Sequence, residues 1–147
     1  MIHPYIHFIL SGLGVAGFVL CKHLYKCKQR KQPLICPMRM SCDFVTTSKY
    51  SKFLGIHLEI LGMIYYGLVT IIHASMLVFP NFASPIETTL GLAASTCAFV
   101  FSVYLTGIQA FVLKKWCTWC LCSATFCALI FITTYFSAPV GFLPHFF

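Results

Sequence analysis

The chain has 147 residues, 59% of them hydrophobic and only 9% charged, where soluble domains carry about 25% charged residues. With a mean hydropathy of +0.87 and ten basic against three acidic side chains, there is too little solvated surface for a water-soluble globule and too much apolar content for a disordered chain. A net charge of +7 and nine cysteines remain to be accounted for.

A spanning helix needs about 20 mostly apolar residues, and four stretches are long enough and nearly free of Asp, Glu, Lys and Arg. The first is predicted over 5–21, ending at Lys22, with Gly12, Gly14 and Gly17 at the small-residue spacing that lets membrane helices pack closely. Its basic cluster follows the apolar run rather than preceding it, so the segment reads as a retained helix and not as a signal peptide. The second helix is predicted over 56–79, with Glu59 near its start and Pro80 at its end. The third is predicted over 88–113, stopped by Lys114 and Lys115, and the fourth over 117–136, broken at Pro139. The remaining tail is too short and too rich in proline to cross again. The expected fold is an all-α integral membrane protein: one domain over 1–147, a four-transmembrane-helix bundle with a cysteine-bearing loop at 22–55.

Four spans put the loop 22–55 and the turn around Trp116 on one face, and all ten basic residues fall there, Lys22, Lys26 and Lys28 at the head of the loop. The positive-inside rule reads that face as cytoplasmic. The charge also suits contact with anionic lipid headgroups. A nucleic-acid partner is not expected, because the loop lacks aromatic interleaving and any recognition motif. Glu59 is an ionisable residue one turn inside a span, functional by default unless it pairs at the interface, where Lys49 and Lys52 are the expected partners. His57 is a candidate proton relay, while His73 and Gln109 are expected to be satisfied by hydrogen bonds between helices.

Cys117-Thr118-Trp119-Cys120 is a C-x-x-C placed at the first turn of the predicted fourth helix. Residues i and i+3 share a helix face, at a separation that suits a disulfide. A helix N-terminus and the adjacent Lys114 and Lys115 favour a thiolate. Cys36 and Cys42 form a second pair on the same face, and two dithiols at one membrane surface make a thiol-exchange relay. The alternative for these four is a zinc site, although C-x5-C is wide for a metal knuckle. A non-enzymatic membrane protein that binds zinc or copper is accordingly the rival reading. Cys21, Cys27, Cys97, Cys122 and Cys127 read as small apolar packing residues.

The stretch from Cys36 to Gly62 joins this loop pair to a C-x-x-V-x-x-S pattern (Cys42, Val45, Ser48), Tyr50 and the glycines Gly55 and Gly62, and W-C-T-W-C-L-C-S-A follows two helices later. In that order these elements resemble the vitamin K epoxide reductase family, its bacterial members more than its vertebrate ones, over about residues 5–136. A disulfide-bond-B type protein also couples two cysteine pairs to a quinone, but in the reverse order. The resemblance implies a helix bundle around a quinone. Cys120 would face the quinone, Cys117 would exchange with Cys42, and Cys36 would pair with Cys42 and accept electrons from a thioredoxin-like partner. Ser48 would help shape the quinone pocket.

The tyrosine that vertebrate members carry four residues after the second C-x-x-C cysteine is Ala124 here, which points to ubiquinone or menaquinone rather than vitamin K epoxide. The fused thioredoxin-like domain of many bacterial relatives is not expected in a chain of this length, so the partner is expected to be a separate protein. The function so implied is reoxidation of that partner, in support of disulfide-bond formation, at the inner or plasma membrane. The family usually keeps its cysteines on the periplasmic face, where disulfides persist, against the cytoplasmic face that the charge predicts.

Overall fold

A proline at the first helical position has no N–H to leave unpaired, and Pro4 opens helix α1 (Pro4–Gln29). The computed structural model describes residues 4–30, 49–82 and 84–137; Cys36, Cys42 and Ser48 lie outside the described residues. The predicted end of α1 at residue 21 is too early. Two further turns follow, because Lys22 to Gln29 are mostly good helix formers and Leu24 among them is buried. Hydropathy marks where the apolar stretch stops, not where the helix does. Lys22, Lys26 and Lys28 therefore stand on a helix rather than in a loop.

After a turn of 3-10 helix (Lys49–Ser51), β1 (Lys52–Phe53) pairs antiparallel with β2 (Ile56–His57), Lys52 opposite His57 and Phe53 opposite Ile56. Leu54 and Gly55 make the two-residue turn between them with φ of 53° and 83°, the left-handed pattern that suits the twist of a short hairpin. Residues 56 and 57, predicted as helix, are thus strand, and α2 runs Leu58–Val78. A 3-10 turn (Pro80–Phe82) leads to α3 (Pro85–Gly107), which starts three residues before its predicted position because Pro85 itself occupies the first turn. A π-helical segment, Ile108–Leu113, continues α3, and α4 spans Thr118–Ser137.

α1 packs most extensively on α2, α3 packs on α4, and α1 also touches α4, whereas α2 and α3 are not among the closely packed pairs. α1 and α2 are antiparallel: Lys28 meets Glu59 at one end, and His7 Nδ1 lies 3.1 Å from His73 Nδ1 at the other. That second contact is the inter-helix hydrogen bond expected for His73. Leu10, Leu20, Leu24, Tyr66, Val69 and Ile130 form the core.

The close approach of α1 to α2 depends on two glycines: a side chain on Gly14 would strike Thr70 and the Tyr66 backbone, and one on Gly17 the Tyr66 ring. Gly12, expected to belong to the same packing face, has open space beside it. Tyr66 is 1% exposed, and its hydroxyl donates to the Ser123 carbonyl at 2.8 Å, tying α2 to α4. Outward faces carry large apolar side chains such as Phe8, Phe111 and Phe136, as a lipid-facing surface requires. Four helices, of 26, 21, 29 and 20 residues with the π segment counted in α3, are long and apolar enough to cross the bilayer. The protein is a multi-pass membrane protein built as a helical bundle.

Candidate redox site

Where α3 ends and α4 begins, the chain must turn sharply within a few residues, and Gln109 holds the turn. Its backbone carbonyl accepts the N–H groups of Lys114 and Lys115, the latter at 3.1 Å. Lys114 closes the π segment in the left-handed conformation, φ 51°. The Gln109 side chain then accepts the Cys117 N–H at 3.3 Å. Gln109 is itself 5% exposed, and its amide oxygen is committed to the turn, not to the hydrogen bond with a neighbouring membrane helix that the sequence suggested. π segments of this kind recur at functional sites.

The C-x-x-C straddles the start of α4. Cys117 stands just before the first helical residue and not within the first turn, and its carbonyl accepts the Leu121 N–H at 3.0 Å. Its sulfur takes the place of a capping oxygen, accepting the Cys120 N–H at 3.4 Å. Cys117 is fully buried under Leu113, Trp119 and Cys120, so exchange at its sulfur requires these residues to move aside. Cys120 carries a free thiol. Trp119 packs its ring on His23 of α1, with centroids 5.2 Å apart, which fixes the start of α4 against α1.

Cys120 faces inward. It lines a cavity of about 440 Å³ at this end of the bundle, within the size range of small-molecule sites. Leu58, Gly62 and Tyr65 of α2 and Ala98, Phe101 and Leu105 of α3 form much of its wall, so the cavity fills the space left where these two helices do not pack. The wall is almost entirely apolar. Ala124, where vertebrate relatives have tyrosine, lines it one turn along α4 from Cys120, and its small side chain leaves the space open.

Cys21, Cys97 and Cys127, read from sequence as packing residues, also line this cavity; the Cys127 sulfur lies 3.2 Å from the Tyr66 hydroxyl. No spacing in the sequence brings them together, because each comes from a different helix.

Glu59 is the charged group on the wall. It is 6% exposed, and its Oε1 accepts a hydrogen bond from Lys28 Nζ at 3.4 Å. The partner expected from the sequence was Lys49 or Lys52. The extra turns of α1 put Lys28 beside the start of α2 instead. Glu59 Oε2, His57 Nδ1 and the Tyr65 hydroxyl are buried without a hydrogen-bond partner among the described residues. Among those residues no group of three or more His, Cys, Asp and Glu side chains is arranged to hold a metal ion.

This arrangement can pass electrons from a dithiol at a membrane surface to an apolar molecule held between helices. No curated protein matches the chain significantly. The sequence profile of the vitamin K epoxide reductase family, however, matches residues 4–135, nearly the whole chain, and the protein belongs to that family of membrane thiol oxidoreductases.

Proposed function

We propose that the protein is a quinone-dependent thiol oxidoreductase that reoxidises a thioredoxin-like partner and so supports disulfide-bond formation. The observation that carries this reading is the position of Cys120: a C-x-x-C cysteine on the wall of an apolar cavity between membrane helices. The residues present fit a quinone. The wall is apolar, the space suits a ring, and two buried polar atoms without partners among the described residues, Glu59 Oε2 and the Tyr65 hydroxyl, belong to wall residues and suit carbonyl or hydroxyl oxygens. Ala124, in place of a tyrosine, favours ubiquinone or menaquinone.

When bound, a quinone supplies a two-electron, two-proton acceptor that leaves as hydroquinone. The partner's thiolate attacks Cys36 of the Cys36–Cys42 disulfide and its second thiolate resolves that mixed disulfide, leaving the partner oxidised and both loop cysteines reduced. The Cys42 thiolate attacks Cys117 of a Cys117–Cys120 disulfide, which releases Cys120 as a thiolate against the cavity, and Cys36 closing back on Cys42 releases the Cys117 thiolate. Loss of two electrons from the Cys117–Cys120 dithiol restores its disulfide and completes the cycle. Each exchange needs a thiolate and a reachable sulfur. Trp119 and Gln109 hold the C-x-x-C in register with the cavity. The single domain extends over residues 1–147, with Ser48 helping to shape the pocket.

Complementation of a bacterial strain that lacks its quinone-linked disulfide oxidase tests the proposal. Restored oxidation of a reporter's thiols supports it, and failure together with full insertion of the protein overturns it. Reading a periplasmic and a cytoplasmic reporter side by side shows on which face of the inner membrane the cysteines act.

A further inference from the structure

A carboxylate buried in the wall of an otherwise apolar cavity calls for a reason. Desolvating an ionised carboxyl costs several kcal/mol even after partial pairing, and an acidic residue inside a membrane span is rarely there for packing. Glu59 is 6% exposed, and of its two oxygens only Oε1 is engaged, by Lys28. Oε2 has no hydrogen-bond partner among the described residues and belongs to a side chain that lines the cavity with Cys120. Lys28, in the last turn of α1, has a side chain that is 16% exposed, so the pair runs from the accessible end of the bundle to the cavity wall.

We infer that Glu59 is the proton-transfer residue of the cavity: protonated, its Oε2 donates to a quinone oxygen, ionised it accepts from a hydroquinone hydroxyl, and Lys28 keeps the carboxyl connected to water at the membrane surface. The inference rests on the function proposed above and names the residue that completes its chemistry. Oxidation of the Cys117–Cys120 dithiol to the disulfide releases two electrons and two protons. The electrons reach the cavity through Cys120, whereas Cys117 is buried under the turn away from it. Glu59 gives a proton at the ligand oxygen and regains one from surface water past Lys28, twice per turnover, which balances the two protons taken up against the two that the thiols release.

The other ionisable groups facing this region are Cys21 of α1, Tyr50, Tyr65 and Tyr66 of α2, Cys97 of α3, and Cys120 and Cys127 of α4, all on the cavity wall, with His57 immediately before α2. Among these groups in the described residues, Glu59 is joined to a solvent-reaching cation through its ionisable oxygen, whereas Lys49 meets Tyr50 only over the ring face, 5.2 Å from its centroid.

The test compares the full-length wild-type protein in detergent with Glu59→Gln, Glu59→Asp and the charge-reversed double variant Lys28→Glu with Glu59→Lys. Four quantities are read: disulfide exchange with a dithiol in the absence of quinone, affinity for a short-chain ubiquinone by quenching of tryptophan fluorescence, single-turnover quinone reduction, and the redox-induced infrared difference spectrum. For Glu59→Gln, exchange is expected to be unchanged and ubiquinone affinity to stay within about threefold, because the amide N–H still donates to a quinone oxygen but carries no transferable proton. Reduction should slow about a hundredfold, in the range of a lost general acid, and a protonation-sensitive carboxyl band should vanish from the spectrum. Glu59→Asp should recover part of the rate.

The charge-reversed variant keeps an ion pair and is expected to fold but to reduce quinone no faster than Glu59→Gln. It carries the test alone if Glu59→Gln fails to fold. Wild-type affinity and rate in the charge-reversed variant, or an unchanged infrared band in Glu59→Gln, would overturn the inference by reducing the pair to a structural salt bridge. A wild-type protein that exchanges thiols but binds no quinone would instead overturn the proposed function, and this inference with it.

Discussion

The side-chain carbonyl of Gln109 accepts the backbone N–H of Cys117 at 3.3 Å, from eight residues earlier in the chain and across a left-handed turn. One buried amide thereby fixes both the end of the π segment and the position of the cysteine that precedes α4. An unpaired buried N–H costs about 1–3 kcal/mol. Replacing Gln109 with Leu is expected to lower the thermal stability of the detergent-solubilised protein and to raise the alkylation rate of Cys117 about tenfold, the loosened turn letting reagent in. Mass spectrometry of the Cys117 peptide measures it; an unchanged alkylation rate would show that the turn holds without this bond.

Cys120→Ala should abolish quinone reduction while leaving Cys117 able to form a mixed disulfide. In that variant the Cys117 thiolate attacks Cys42 of the Cys36–Cys42 disulfide and releases the Cys36 thiolate, so a Cys42–Cys117 linked peptide should appear in mass spectra of a non-reducing digest. Turnover retained by Cys120→Ala would remove Cys120 from the role given to it.

Gly17 and Gly12 separate packing from lipid exposure on the same helix. A side chain on Gly17 would strike the Tyr66 ring, whereas Gly12 has open space around it. Gly17→Leu is expected to disrupt the α1–α2 contact and lose the folded protein from detergent extracts. Gly12→Leu should change stability by no more than about 0.5 kcal/mol. Size-exclusion profiles of the two variants make the comparison, and a normal Gly17→Leu profile would contradict the packing described.

Tyr66→Phe removes a hydroxyl that contacts the Ser123 carbonyl, the Ser123 hydroxyl and the Cys127 sulfur. A net loss of about 1 kcal/mol is expected, seen as a lower unfolding midpoint, with thiol exchange at Cys117 preserved because the C-x-x-C is held by other contacts. A loss of exchange larger than the loss of folded protein would show that Tyr66 also positions the redox pair.

Ala124→Phe places a ring where the cavity wall is now small. It is expected to weaken short-chain ubiquinone binding more than tenfold, consistent with the 1–3 kcal/mol that overpacking typically costs, and to leave quinone-independent thiol exchange intact. Fluorescence quenching reads the affinity; undiminished binding would place the ligand elsewhere.

Charge-free apolar stretches are enough to fix four spans, because a bilayer imposes a minimum length of apolar sequence on any helix that crosses it. The C-x-x-C at the start of α4 is legible for a similar reason: both sulfurs lie within one local stretch of chain, and local spacing is what a sequence displays. Glu59 is conspicuous as a charge within a span. Its partner is not. The expectation of Lys49 or Lys52 follows from nearness in sequence, whereas Lys28 reaches Glu59 because α1 continues past its apolar stretch and runs antiparallel to α2.

The sequence by itself determined the membrane setting, the number of helices and the place of the C-x-x-C at the start of α4, since each of these depends on composition or short-range spacing. Only the tertiary structure decided which wall Cys120 faces and that Cys21, Cys97 and Cys127 share it. The same holds for Gln109, whose side chain secures the Cys117 turn rather than another helix. A cavity is the space that helices leave when they do not touch, and which helices touch is set by long-range fits such as Gly14 and Gly17 against α2, so no local pattern in the chain announces it.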